Sequence, residues 1–298
     1  MSERVIEHGR RLRAALASSR SLELVSDLEL VGTGLDAAVF RAESRAFGSV
    51  AIRAPWTRWI SNDNDLSLDA RELLVKEQLL ANHMLQHGVP TPRAFALHVG
   101  EDDFDFLVSA YVPDDGTDPE PAALGALLRR IHEAPVTRDL EHALGTGDLA
   151  ETLAIRIAER LGVVQRLSGR AIRAVSADAL RARAAPARYR RSVLHMDFRR
   201  VNLRVVGGEI RAVLDWSNAL LGDPALELAR AAESDVRDRA FDAGYRHDLQ
   251  TPAALEALYR LDAAVMLAVV FLSEAPDPVL AKRQVERVAQ LLAALGYA

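Results

Sequence analysis

The 298-residue chain contains no cysteine. This excludes a disulfide framework and any zinc site built on thiolates, and it accords with a reducing, cytoplasmic location. Aromatic residues are scarce at 5%, yet 49% of the chain is hydrophobic and 27% is charged. That is the balance of an ordinary folded chain, long enough for two lobes with substantial cores. No secretory signal is expected either, because residues 1–20 carry five arginines and no continuous apolar stretch. The longest apolar run, Ala263 to Leu272, is too short to span a bilayer, so it reads as a buried helix and no membrane segment is expected. Nor is there an excess of basic charge. A net charge of −5 and a pI near 5.9 argue against a nucleic-acid coat, which needs a basic face. No internal repeat or low-complexity tract stands out, although alanine and arginine are abundant.

What is present is concentrated in residues 193–203, V-L-H-M-D-F-R-R-V-N-L, followed by V-L-D-W at 213–216. Transfer of a γ-phosphoryl group needs a carboxylate near the attacking hydroxyl, with amide and carboxylate oxygens to hold Mg²⁺ against the nucleotide phosphates. Asp197, Asn202 and Asp215 have those chemistries at suitable intervals. A strand over Ser192 to Leu194 and another over Leu203 to Val206 bound the polar loop. Gly207-Gly208 predicts a two-residue hairpin turn, and Glu209 to Leu214 the returning strand that delivers Asp215 beside Asn202.

This constellation resembles the H-x-D-x-x-x-x-N catalytic loop of kinases, with Asp215 at the position of the metal-binding Asp of D-F-G. Asp215-Trp216, then Gly222-Asp223-Pro224 and Leu226-Glu227-Leu228-Ala229, resemble the aminoglycoside phosphotransferase and choline kinase superfamily. The resemblance implies an α+β, bilobal, protein-kinase-like fold: a small antiparallel β lobe, and a larger, mainly helical lobe with a catalytic β-hairpin. It makes Asp197 the catalytic base, Asn202 and Asp215 the Mg²⁺ ligands, and His195 a scaffold residue tying the loop to the hairpin. Arg199 and Arg200 lie close enough in sequence to support nucleotide phosphates. Arg204 lies beside the loop but less near in sequence, and the cluster Arg181, Arg183, Arg188, Arg190 and Arg191 suits a solvated helix face better than phosphate attraction.

Upstream, Glu3 to Ala17 has helical spacing. Leu22 to Val31, Ala37 to Ala42 and Ser49 to Ala54 suit an antiparallel meander. The turn Gly32-Thr33-Gly34 reads equally as a phosphate clamp, since glycines permit close backbone approach, or as a bare hairpin turn; it lacks the full G-x-G-x-x-G. Val50-Ala51-Ile52-Arg53 resembles the V-A-I-K strand of kinases, with Arg53 replacing the phosphate-pairing Lys. The following Ala54-Pro55 is similar to the macrolide-kinase variant of the superfamily. A helix over Leu66 to Leu85 supplies Glu77 as the partner of Arg53, in preference to Glu72 on another face. Strands follow at Ala94 to Leu97 and Phe106 to Val112. By position, Ser109, Tyr111 and Val112 would meet the purine, and Tyr111 also reads as a packed strand residue.

These features predict an N-terminal nucleotide-binding lobe over 1–112, an interlobe linker at 113–119 and a C-terminal lobe over 120–298. Helices are expected at Ala122 to His132, Leu149 to Leu167, Ala171 to Arg183, Ala225 to Glu233, Pro252 to Ser273 and Pro278 to Leu295. His132 reads as structural. For the acceptor site, Ser217 and Asn218 stand beside the metal loop and either touch substrate or cap a turn. Glu233, Asp235, Asp238 and Asp242 form an acidic run interleaved with arginines, read as a solvated face or a patch for a cationic substrate. The resemblance implies a Mg²⁺-dependent phosphotransferase using ATP or GTP on a small hydroxylated, possibly cationic, molecule. An antibiotic of aminoglycoside or macrolide type is the first expectation, followed by a metabolic alcohol or a nucleotide-binding pseudokinase. A monomer or homodimer is expected.

Overall fold

The computed structural model describes residues 3–18, 22–65, 67–102, 104–145, 147–184, 189–246 and 250–297. Contacts divide the chain into two units. One comprises Met1–Ser61, Ser67–Asp118 and Leu203–Ser217; the other comprises Asn62–Leu66, Pro119–Asn202 and Asn218–Ala298.

The first unit opens with helix α1 (Glu3–Ser18) and strands β1 (Glu29–Thr33), β2 (Ala37–Ser44) and β3 (Gly48–Pro55). A short pair, β4 (Trp59–Ile60) and β5 (Leu68–Asp69), leads to α2 (Ala70–Gln86), β6 (Ala94–His98) and β7 (Phe106–Ala110). The main sheet is antiparallel in the order β1-β2-β3-β7-β6. Successive strand side chains point to opposite faces, so Ala38, Phe40 and Ala42 on β2 and Val50, Ile52 and Ala54 on β3 bury against Leu12 and Leu16 of α1. Arg53, out of phase with that apolar set, is left to the other face.

Two expected boundaries move. The strand anticipated from Leu22 begins at Glu29; Leu22 is buried in the core while Leu24 makes only an isolated bridge to Ser44. Helix α2 starts at Ala70 because the Asp69 side chain caps it by accepting the Arg71 N–H; Leu66, the expected start, lies outside the described residues.

The second unit contains α3 (Pro121–Glu133), α4 (Arg138–Leu144), α5 (Leu149–Ser168), α6 (Ala177–Ala184) and β8 (Ser192–Leu194). The chain then forms the hairpin of the first unit, β9 (Leu203–Val206) and β10 (Glu209–Val213). It continues through β11 (Leu220–Gly222), α7 (Pro224–Glu233), α8 (Arg239–Tyr245), α9 (Ala253–Val269), a π turn at Val270–Glu274, and α10 (Pro278–Ala294). Leu153, Ile157 and Leu161 of α5, Leu258, Leu261 and Val265 of α9, and Val285, Val288 and Leu292 of α10 share one core. Most of the run Ala263 to Leu272 is buried there, and among the described residues no helix is long and apolar enough to cross a membrane. Helices α3 and α8 approach at two glycines: a Cβ on Gly125 would meet the Phe241 carbonyl at 2.0 Å, and one on Gly244 the Ala122 carbonyl at 1.9 Å.

Several expectations are corrected here. Strand β8 pairs with β11, and one residue beyond it Met196 lies in the left-handed region (φ 65°). Helix α5 closes on left-handed Gly169, so the helix expected from Ala171 begins only at Ala177. The helix expected through Ser273 leaves α-geometry after Val269. Helices α4 and α8 and strand β11 were not anticipated. Arg188 lies outside the described residues, whereas Arg181 pairs with Asp178 and Arg191 with Glu141.

Candidate active site

In the first unit, β3 places Arg53 against α2. Arg53 Nη1 donates to Glu77 Oε2 at 2.6 Å and to Asp215 Oδ1 at 3.0 Å. Glu72, in the first turn of α2, is exposed. Burial alone would weaken the proton affinity of Arg53, but the two carboxylates outweigh it and its pKa rises, so the guanidinium remains charged. Glu77 is pushed upward by the same burial, against the pull of Arg53. Among the described residues Arg53 makes no hydrogen bond through Nε or Nη2.

Asp215 reaches this cluster because the hairpin is anchored from two sides. The Val213 N–H donates to Pro90 O, and the buried Trp216 indole donates to Thr91 Oγ1 at 3.3 Å. From residues 113–119, Asp114 accepts the Val205 N–H, Asp115 that of Gly207, and Thr117 that of Gly208. Gly207 and Gly208 both have positive φ, the conformation glycine permits in a tight hairpin turn. Asp215 is itself left-handed (φ 61°) and accepts the Ser217 hydroxyl at 2.5 Å; Asn218 is exposed.

The glycine turn is a tight β1–β2 connection. Gly34 N–H donates to Ala37 O, and the Trp56 indole donates to Gly34 O at 3.2 Å; Thr33 and Gly34 are exposed, Gly32 half-buried. Ser109 on β7 lies between Ala51 and Ala94. Tyr111 donates its N–H to Ser49 O and lies under the Arg41 guanidinium, 4.6 Å from its ring centre, while Val112 is half-buried.

In the second unit, the catalytic-type loop follows β8. Asn202 Nδ2 donates to Asp197 Oδ2 at 2.7 Å and to its carbonyl at 2.9 Å. Arg199 grips the same carboxylate through Nε at 2.8 Å and Nη2 at 3.2 Å. Arg200 begins a 3₁₀ turn ending at Asn202 and is half-buried. His195 is fully buried, and its Nδ1 accepts the Asp197 N–H at 3.1 Å, so the imidazole holds the loop's own backbone.

Sequence reasoning missed Glu227 as a functional side chain. In α7 its Oε2 accepts the His195 N–H at 2.9 Å and its Oε1 the Met196 N–H at 2.6 Å. His132 Nε2 lies 2.9 Å from Oε2, and His132 Nδ1 lies 2.8 Å from the Tyr245 hydroxyl. Burial pushes Glu227 up, but His132, His195 and the Met196 N–H outweigh it and hold the carboxyl below its ordinary range. The signal was available: a lone acid within the apolar stretch 224–229 demands partners. The Gly222-Asp223-Pro224 motif also gains a physical reading. Gly222 admits Leu194 and Leu220, Asp223 caps α7 and accepts the Tyr259 hydroxyl, and Pro224 occupies the first helical turn.

Ser234, between Glu233 and Asp235, lines the same cleft as Asp197. Glu233 is held by Arg260 at 2.5 Å and Arg287 at 2.9 Å, and Asp235 by Arg283 at 3.0 Å. Among the described residues no group of three or more His, Cys, Asp or Glu side chains is arranged to hold a metal.

The sequence model of the phosphotransferase enzyme family matches residues 27–263. No curated protein matches in sequence. Solved structures match along nearly the whole chain. A thermostable mutant of aminoglycoside phosphotransferase APH(4)-Ia, in ternary complex with AMP-PNP and hygromycin B, is similar at 14% identity and TM-score 0.65, over 95% of this chain and 98% of that one. A choline/ethanolamine kinase family protein from Mesorhizobium loti is similar at 17% and 0.63, over 97% and 96%. Wild-type aminoglycoside 2'-phosphotransferase-IIIa in its GDP complex is similar at 15% and 0.61, over 96% and 98%. The fold is the α+β kinase-like fold of these proteins.

Proposed function

The chain belongs to the phosphotransferase enzyme family, and we propose that it is a magnesium-dependent kinase transferring the γ-phosphoryl group of ATP or GTP to a hydroxyl of a small molecule. The observation that carries this reading is the Arg53 guanidinium fixed between Glu77 and Asp215, with its remaining N–H groups available to nucleotide phosphate. Asp197, oriented by Asn202, is the carboxylate that accepts the proton of the acceptor hydroxyl. Asp215 and Asn202 bring the hard oxygen donors magnesium prefers, and Asn202 spends its Nδ2 on Asp197, which leaves Oδ1 to ligate. Bound magnesium supplies charge neutralisation at the phosphates. So few protein ligands suit this ion, which is usually completed by phosphate and water.

The acceptor is a hydroxylated small molecule. Similarity to a protein crystallised with hygromycin B supports an antibiotic substrate and a resistance role. A metabolic alcohol is the second reading, favoured by the buried Glu233 carboxylate being held by Arg260 and Arg287. The test is ADP or GDP release with Mg²⁺ across hydroxylated antibiotics and metabolic alcohols, for wild type and Asp197→Asn. Acceptor-stimulated release lost in the variant supports the kinase. Nucleotide binding without turnover of any acceptor would favour an interaction module.

A further inference from the structure

The glycine turn between β1 and β2 is held by a side chain that belongs to neither strand. Trp56 follows β3 directly. It donates its indole N–H to Gly34 O at 3.2 Å and its backbone N–H to Asp36 O at 2.9 Å. The Gly34 N–H is spent within the turn, on Ala37 O at 2.8 Å. The turn contains no cis peptide, and in a planar trans peptide the C=O and the following N–H point in opposite directions. Holding Gly34 O therefore turns the Leu35 N–H away from the indole. Leu35 is 63% exposed, and among the described residues its N–H makes no hydrogen bond. Asp36 lies within electrostatic reach of Arg53, so the turn stands near the cation of β3.

The indole is itself fixed by α1. Arg4 and His8 are four residues apart, hence on one face of that helix. The Arg4 guanidinium lies over the Trp56 ring, 4.5 Å from its centre, and the His8 ring packs at 4.9 Å with a tilt of 52°. His8 is buried, 3.2 Å from Ala54 O and 5.1 Å from the Phe104 ring, which ties α1 to the end of β3 that Trp56 follows. Trp56 packs on the same core. A ring already held in one rotamer loses little entropy on bonding Gly34. The bond is open to solvent and adds only modestly to stability; its effect is to choose the orientation of the peptide between residues 34 and 35.

We propose that Trp56 is a positioning residue for the phosphoryl donor. Braced by Arg4 and His8 of α1, it orients the peptide between Gly34 and Leu35 so that the turn presents an N–H, not a carbonyl, to the nucleotide phosphates. A carbonyl dipole facing those phosphates repels them, whereas a backbone N–H attracts them. This rests on the kinase reading above and gives α1, which that reading leaves without a role, a part in gripping the nucleotide.

The test measures the Kd of the full chain for MgATP, MgGTP, adenosine and guanosine by calorimetry. Trp56→Phe keeps a ring against Arg4 and His8 and removes the indole N–H. The expected result is a Kd about fivefold higher for whichever triphosphate wild type binds, the size of one neutral hydrogen bond, with the nucleoside Kd within about twofold. The urea midpoint stays in place. Arg4→Ala, at an exposed position, raises the triphosphate Kd about threefold in wild type and has no effect in Trp56→Phe, because Arg4 acts through the indole. Equal triphosphate affinity in wild type and Trp56→Phe overturns the brace and retains the kinase. So does an equal loss for nucleoside and triphosphate, because Trp56 then serves the purine or the fold. If Trp56→Phe does not fold, Arg4→Ala decides alone: a loss confined to the triphosphate supports the brace, and no loss refutes it. Wild type that binds neither triphosphate overturns the nucleotide reading and the brace together.

Discussion

Replacing Glu227 by glutamine tests whether this carboxylate sets the geometry of the Asp197 loop. Glu227 accepts the His195 and Met196 N–H groups and the His132 ring in a fully buried setting. Hydrogen bonds to a charged group contribute about 1.5–3 kcal/mol each and neutral ones about 0.5–1.5. Three bonds weakened in Glu227→Gln therefore lose about 3 kcal/mol, and one amide NH₂ must face an N–H donor. Held against this is the left-handed backbone of Met196, a conformation that costs about 1–3 kcal/mol in a non-glycine residue. Once the support falls to the size of the strain, the backbone at 196 relaxes and carries Asp197 with it. A displacement of about 1 Å costs about 100-fold in kcat. The assay is acceptor-dependent ADP or GDP release at saturating nucleotide, paired with a urea unfolding curve. A variant with a kcat within about threefold of wild type and an unshifted urea midpoint refutes the reasoning.

Arg53→Ala leaves Glu77 and Asp215 facing each other without their cation, so the nucleotide KM rises or kcat falls at least about tenfold; unchanged nucleotide kinetics remove Arg53 from the site. Gly125→Ala lowers stability by about 2 kcal/mol or more in chemical denaturation, although alanine is the better helix former, because its Cβ lands 2.0 Å from Phe241 O; a neutral or raised midpoint refutes the close crossing of α3 and α8. Burial lowers the pKa of His8 below its ordinary 6.5, while its Nε2 stays within 3.2 Å of Ala54 O. A depressed folded-state pKa stabilises above 6.5 and loses that contribution as pH falls through the folded value. The Tm is therefore expected to fall on acidification below 6.5, with a smaller slope in His8→Phe; identical slopes exclude His8 as the group responsible.

The α+β kinase-like fold was legible because its signals are local. Period-2 alternation in β2 and β3, the Gly207-Gly208 turn and the H-x-D to D-W spacing each require only neighbours in sequence. What stayed hidden depends on distant partners. Ser192 to Leu194 reads as a strand from its own residues, but nothing in it says that β11 is its mate. The continuous apolar spacing through Ser273 conceals the π turn, since hydrophobic periodicity records which face is buried and not the hydrogen-bond register. Leu22 looked like the start of a strand because a buried leucine gives the same pattern whether or not its backbone pairs. For the candidate site, Arg53, Glu77 and Asp215 were each picked out by motif position. Glu227 was not, because its significance lies in what it faces: two backbone N–H groups.

The substitution of a guanidinium at position 53 also changes how this protein can be reached chemically. The chain has two lysines, Lys76 and Lys282, and neither stands on the strand that presents a cation to Glu77 and Asp215. Nucleotide reagents that acylate an amine at that strand position find no nucleophile here, since an arginine paired at 2.6 Å with a carboxylate keeps its proton through the whole working pH range. An amine-acylating reagent thus has no target at that strand position, and the raised proton affinity of Arg53 makes it a poor one for dicarbonyl reagents too, since they attack the neutral guanidine.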